Sequence, residues 1–586
     1  MSKKKTKAAP HLKANDFYSL VFSEDPQLNP KLDLAAYVKM TPEHEGKKYN
    51  RVLHMIDLSD GSDRQISAGG AAADFMPRWS PDGKTLAFIS TRTKKPQVTL
   101  LPEKWGEAKT LTSVANGAMM FDWAPDGKNI LFLSRTRKEE RKLEDKPPKK
   151  KKMDAREAKR AEEDRQYAEE MRIDPRVYYR TVVKQGTAFR DDRSNHIYIQ
   201  PVDGGNVVRL TDGESDYGPF CMSEDGKTVY SSCNARAGDA DVQIRSDIVK
   251  IDVKTKKVTY LTEGDDGDFL PKISPDGKWI YYMSFKNTRR YQQRLRIMRV
   301  PIEGGKAEDI LTEEFDLDPG AFQFDEAGDY LYFNLAYAGR ESIARLPIDG
   351  GGLKDLEFVV RADGMAKSFN LQGSRVIYGF ECPEHPDEIF MKDLGAGGRR
   401  KKAETESPEG EPLAPGKVEQ LTEHNKAFFK KRSLSMPQEV WLERPDGFKI
   451  QGWYMLPHDY KKGEKYPWVV QVHGGPHVMW GWSFWHEFQS MCAKGYGVYF
   501  SNPRGSDGYG HEFKGAIHKC WGEKDSQDIL AGADLMVEKG LADPDRLYLT
   551  GGSFGGFMTG WIVTHDHRFK AVCAQRGVYN FVSMYG

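Results

Sequence analysis

Through the first 420 residues, short apolar and aromatic runs alternate with tight polar turns, and the alternation repeats. One unit reads WSPDGKTLAFIS from Trp79, WAPDGKNILFLS from Trp123, MSEDGKTVYSS from Met222, ISPDGKWIYYMS from Ile273 and FDEAGDYLYFN from Phe324. Its turn glycines (Gly83, Gly127, Gly226, Gly277, Gly328) are spaced by 44, 99, 51 and 51 residues. An Asp-Gly or Ala-Gly turn before an apolar run is a strand signal. A second unit, strand, polar turn, strand, recurs seven times out of phase with the first, from VLHMIDLSDG at Val52 to EIFMKDLGAGG at Glu388. Several copies are followed by a Leu-Thr pair (Leu210-Thr211, Leu261-Thr262, Leu311-Thr312, Leu421-Thr422). A period near 47 residues with about four strands per unit predicts the blades of a seven-bladed β-propeller over residues 28–428, after an N-terminal extension at 1–27. A small sheet cannot bury both faces alone, and radial packing against neighbours supplies the missing cover.

The doubled interval has a visible cause. Residues 137–172 carry 14 basic and 11 acidic side chains, which reads as a solvated, partly helical insertion in the third blade. Residues 395–416, rich in Pro and Glu, read as a second insertion in the last blade.

After Phe429 the grammar changes. An antiparallel pair around Pro445-Asp446-Gly447 precedes a nearly continuous apolar strand, Tyr466 to Val472, of the kind buried on both faces. Helix and strand then alternate to the end: helix near Phe484–Lys494, strand Gly497–Ser501, helix near Asp525–Lys539, strand Arg546–Thr550, helix from Ser553, strand Ala571–Gln575. That order predicts a parallel sheet, and residues 429–586 are expected to form an α/β-hydrolase domain that is incomplete in this chain.

Composition narrows the function. Lys and Arg total 87 against 86 Asp and Glu, so the electrostatic footprint of a dedicated nucleic-acid binder is missing. No run of 18 apolar residues occurs, and the basic N-terminus has no apolar stretch behind it, so neither a membrane span nor a secretory signal is expected. Six scattered cysteines without a CxxC pair read as free thiols of a cytoplasmic protein. No cluster has metal-ligand spacing, and no cofactor is expected.

The chemistry gathers in the last 120 residues. Gly551-Gly552-Ser553-Phe554-Gly555 follows a strand and opens a helix, the setting in which G-x-S-x-G presents a nucleophilic serine. His473-Gly474-Gly475-Pro476 follows the apolar strand, where a glycine-rich loop can bring a backbone N–H to a substrate oxygen. The oxyanion donors are therefore expected to be the amides of Gly475 and Phe554, with His473 and Gly474 supporting the site. The cluster Asn502-Pro503-Arg504-Gly505-Ser506-Asp507-Gly508-Tyr509-Gly510 follows another buried strand, and Arg504 and Tyr509 are read as holding loops around the site.

Together these motifs resemble the prolyl oligopeptidase family of serine peptidases, over nearly the whole chain from about residue 28. His-Gly-Gly-Pro is most similar to the branch of acylaminoacyl-peptidases and bacterial-type dipeptidyl-peptidases. The resemblance implies hydrolysis of short peptides near their N-terminus through an acyl-enzyme, with the propeller excluding folded proteins. It also implies an acid and then a histidine after Ser553, yet only His565, Asp566 and His567 offer such groups there, and they read as a helix end and loop. The chain is accordingly expected to lack the triad acid and base and to be inactive alone. The Glu pairs at 162–163, 169–170 and 313–314 lack the setting that the dipeptidyl peptidase IV group uses to bind a free N-terminus. The preference between acylated and free N-termini stays open, as does homo-oligomerisation. An esterase of the same sheet and a non-catalytic propeller scaffold are the alternatives.

Overall fold

A computed structural model describes residues 10–585 apart from 46–47, 71, 103–105, 235–244, 287–293, 396–415 and most of 146–192. Seven four-stranded antiparallel sheets succeed one another over residues 22–65, 74–110, 120–209, 217–260, 267–309, 319–360 and 365–420, here blades 1 to 7. Blade 6 meets blade 7 through a single parallel bridge, Glu341 to Met365.

The repeated turn has a chemical basis. In blade 2 the Asp82 carboxylate accepts from the Ser80 hydroxyl (2.6 Å) and the Lys84 N–H (3.1 Å), while Ser80 Oγ accepts the Thr85 N–H (2.9 Å). Gly83 sits at φ +73°, a left-handed conformation that favours glycine. The same bonds recur at Ser223/Asp225 and Ser274/Asp276. The threonine of the Leu-Thr pair is equally specific: Thr211, Thr262 and Thr422 each accept, on Oγ1, the N–H of a third-strand residue (Ile197, Ile248, Ile389). In blade 5 the Ile297 carbonyl is instead paired with the Ile310 N–H, and Arg296 reaches the Thr312 carbonyl.

The ring closes between blades 1 and 7. Leu28, Ala35, Tyr37 and Ile56 pack against Ile377 and Ile389, and Arg375 pairs with Asp33 at 2.8 Å. The first blade strand is Phe22–Leu28, so the propeller begins six residues before the expected boundary at 28. The segment before it is a docked strap. Leu12 and Leu20 are buried against Phe484, Phe428 and Phe429, and Asp16 pairs with Arg432 at 3.0 Å. The charged insertion in blade 3 opens with helix Lys138–Asp145, which is held to the blade rather than free: Arg141 is buried and pairs with Asp212 at 2.7 Å. The rest of that insertion, like the one at 395–416, lies essentially outside the described residues.

The last part of the chain forms a six-stranded sheet in the order Gln438–Glu443, Lys449–Met455, Gly497–Asn502, Tyr466–Val472, Ala542–Gly552, Phe569–Gln575. The first pairings are antiparallel and the last three parallel. Helices Lys524–Glu538 and Phe554–His565 pack Ile529, Ala533, Met536, Met558 and Ile562 on Trp468, Val470 and Leu549 of the central strands. The architecture is therefore a seven-bladed propeller joined to an α/β-hydrolase sheet. Among the described residues, no helix is long and apolar enough to cross a membrane.

Thr262→Val keeps the side-chain shape but strands the buried Ile248 N–H. Chemical denaturation should show a loss of about 1–3 kcal/mol; an unchanged midpoint would mean that the threonine does not hold the blade edge.

Candidate functional site

Strand Ala542–Gly552 runs straight into helix Phe554–His565, and Ser553 is the single residue between them. Its backbone sits at φ +59°, ψ −119°. A non-glycine residue holds such a conformation at roughly 1–3 kcal/mol, and only where its surroundings impose it. Here they do. The Ser553 N–H donates to the Gln575 carbonyl (3.0 Å) and its carbonyl accepts the Phe557 N–H (3.0 Å). The flanking glycines are steric requirements: a Cβ on Gly551 would lie 2.6 Å from the Val472 carbonyl oxygen, and one on Gly555 only 2.2 Å from it. The turn is thus pressed against the end of strand Tyr466–Val472, and the Ser553 side chain is left exposed. The Phe554 N–H opens the helix and has no intrahelical acceptor.

The loop after Val472 lies over this serine. A Cβ on Gly474 would stand 3.4 Å from Ser553 Cβ and 3.9 Å from its Oγ. Gly475 follows at φ +109°, turning the chain towards His477 and Val478. His473 points the other way, into the protein. It is buried, with Nε2 2.9 Å from Ser506 Oγ and Nδ1 2.6 Å from the Gly474 carbonyl. Burial pushes its pKa down to about 4, so the imidazole is neutral at physiological pH. The Ser506 hydroxyl in turn donates to the Pro503 carbonyl (2.6 Å), which ties the ring to the neighbouring loop.

The second loop, Asn502 to Gly510, grips the first. The Asn502 side chain accepts the Trp480 N–H (2.7 Å) and donates to the Trp480 carbonyl (2.9 Å). His477 Nδ1 donates to the Gly505 carbonyl (2.7 Å), and the Asp507 N–H donates to the Val478 carbonyl (3.1 Å). Arg504 is fully buried in a bidentate pair with Asp528 (2.8 and 2.7 Å) and also donates to Asp446. Tyr509 accepts from the Asn502 amide (2.6 Å) and donates to Gln451. The guanidinium of Arg504 is spent on these carboxylates, which fits loop support rather than substrate contact.

His565 lies at the far end of the Ser553 helix, twelve residues on, roughly 18 Å along the axis. There it donates to the Trp561 carbonyl (2.8 Å) and stacks on the Trp561 ring at 4.4 Å. Asp566 is paired with Arg568 and His567 is exposed. None of the three is brought to Ser553. Sequence reasoning missed Ser506, His477 and Asn502 as ties to the first loop, although all but His477 lie inside the cluster it singled out. It had no signal for Asp528 or Asp446.

Comparison with known proteins follows this geometry. A family model described as "Prolyl oligopeptidase family" matches residues 482–586. The uncharacterized peptidase YuxL of Bacillus subtilis is 29% identical over 98% of this chain and 83% of its own length. Dipeptidyl-peptidase 5 of Porphyromonas gingivalis is 24% identical over 99% of this chain and 81% of its own. Among solved structures, an acylaminoacyl peptidase in complex with Z-Gly-Gly-Phe-chloromethyl ketone superposes with a TM-score of 0.75 at 23% identity, covering 98% of this chain and 80% of that one. The acylaminoacyl peptidase of Pyrococcus horikoshii gives 0.74 at 23% identity, with the same shares covered.

The neutral His473 makes a pH test. An unfolded histidine takes up a proton below about pH 6.5, whereas this one stays neutral down to about 4. Stability linked to it is complete above pH 6.5 and falls as pH drops towards 4, by on the order of 3 kcal/mol. Denaturation of the wild type and of His473→Gln from pH 7.5 to 4.5 should show a shallower decline in the variant; parallel declines would assign the pH dependence to other groups.

Proposed function

We propose a serine peptidase mechanism for this chain, which belongs to the prolyl oligopeptidase family. The observation that carries it is the strained, exposed Ser553 at the strand-to-helix turn with the Gly474 backbone against it. Ser553 Oγ attacks the carbonyl carbon of a peptide bond as its proton passes to a base. The resulting oxyanion is held by the Phe554 N–H and an N–H of the Gly474–Gly475 segment. Collapse breaks the C–N bond, the amine leaves with the proton, and water then hydrolyses the acyl-enzyme. His473 cannot be the base, since its ring is turned into the protein and both nitrogens are engaged.

His565 and His567 stand a helix length away from Ser553, so neither takes its proton in this reading.

The substrates are short peptides cleaved near the N-terminus, as the names of the acylaminoacyl peptidase and dipeptidyl-peptidase relatives suggest, with the ring keeping folded proteins from the site. All six cysteines are unpaired, which supports a reducing, cytoplasmic setting.

Ser553→Ala in the full-length enzyme should abolish both fluorophosphonate labelling and turnover of peptide anilides. Labelling that persists would remove Ser553 from the mechanism. Acetylated and unblocked anilides, run side by side, decide the N-terminal preference.

A further inference from the structure

The chain from His473 to Trp485 has no regular secondary structure, so its position over Ser553 depends on what it touches. On one side it touches the hydrolase loop Asn502–Gly508, as described. On the other it touches the propeller. The turn Ala338–Gly339 of blade 6, between strands Tyr330–Tyr337 and Arg340–Pro347, donates its Gly339 N–H to Met479 Sδ (3.2 Å) and accepts the Trp482 N–H on the Gly339 carbonyl (3.0 Å). The approach is close enough that a Cβ on Gly481 would lie 2.2 Å from that carbonyl oxygen.

Blade 6 holds the supporting loop as well. The Ala338 N–H donates to the Gly508 carbonyl (3.1 Å), and the His511 N–H donates to Asp316 (3.0 Å). Lys514 stands between the domains, its ammonium 2.6 Å from Asp318, in the linker that enters blade 6, and 2.7 Å from Asp507 of the hydrolase loop. The Lys514 side chain is only 14% exposed, so this three-centre contact is better shielded than an ordinary surface pair. Burial pushes the Asp507 carboxyl up while Lys514 draws it back, so the charge of Asp507 leans on that ammonium. Asp507 is the residue whose N–H carries Val478, so the chain of contacts runs from the propeller to the loop beside Ser553.

We infer that blade 6 and the linker entering it position the oxyanion loop: Asp318, through Lys514 and Asp507, and the Ala338–Gly339 turn, through Met479 and Trp482, hold residues 473–482 in register with Ser553. The propeller then sets the rate of acyl transfer and does not act only as a filter. Asp318 and Lys514 are positioning residues in this scheme, which rests on Ser553 being the nucleophile. Oxyanion donors act over a few tenths of an ångström, and a displacement near 1 Å is enough to lower a rate about a hundredfold.

The test is steady-state kinetics of the full-length enzyme on a dipeptide anilide too small to need filtering. Asp318→Asn removes the propeller's charge and leaves the Lys514–Asp507 pair. It should lower kcat about tenfold with KM within about twofold and thermal unfolding unchanged, and slow fluorophosphonate labelling in parallel. Asp318→Glu should recover most of the loss. Lys514→Gln provides an independent reading of the same kcat-selective loss should Asp318→Asn destabilise the fold. If kcat on the small substrate is unchanged in both variants, or only KM for longer peptides moves, the propeller is a filter and the inference falls. A Ser553→Ala control separates the two readings. An active Ser553→Ala enzyme overturns the nucleophile assignment, whereas an inactive one beside a fully active Asp318→Asn overturns only the positioning role.

Discussion

The buried pair of Arg504 and Asp528 is the constraint from which the site is built. Neither side chain has access to water, and an unpaired charge in that place would be strongly destabilising. The guanidinium fork and the carboxylate therefore fix each other, and Asp528 also accepts the Arg504 N–H at 3.1 Å, which fixes the main chain of the loop as well as its side chain. With Arg504 anchored to helix Lys524–Glu538, its neighbours Asn502, Gly505, Ser506 and Asp507 have set directions, and each takes hold of a different point on the loop that covers Ser553. The loop over Ser553 is thus positioned by contacts running outward from one buried ion pair, while the serine's own turn is clamped by the glycine contacts to strand Tyr466–Val472.

The propeller is held by a different kind of economy. Several blades use the same few side chains at the turn and the edge, and apolar residues are buried from blade to blade. Trp79 and Trp123 show the link between blades: each indole N–H donates to a carbonyl of the preceding blade, at Gln27 and at Arg78. An indole buries a large apolar surface and still needs one acceptor, which the neighbouring strand supplies. Repetition of such units yields a closed ring, and closure between blades 1 and 7 removes the exposed faces that a linear stack would leave.

Much of this was legible in the chain because the signals are local. Ser80, Asp82 and Gly83 lie within four residues and the parts of the serine turn, Gly551 to Gly555, within five, so spacing alone announces them. The first blade strand was not legible. Phe22–Leu28 is mostly polar, contains Pro26 and carries a bulge between Glu24 and Gln27, so the alternation that marks the other strands is broken. The strap before it rests on two leucines that meet Phe484 hundreds of residues later. The partners of Arg504 were hidden for the same reason: Asp528 lies in a helix, where a carboxylate has no local mark of being buried.

Contacts between the domains are the extreme case. Asp318 and Lys514 are 196 residues apart, and each alone reads as an ordinary surface charge. They become informative only when the fold brings them to the two sides of one seam, with Asp507 as the third member. A loop built from glycines at 474, 475 and 481 has little stiffness of its own. Such a loop gains its shape from what surrounds it, and here the surroundings belong to two domains. The flexibility that lets the Gly474 backbone come so near Ser553 therefore also makes the position of that backbone dependent on where the propeller sits.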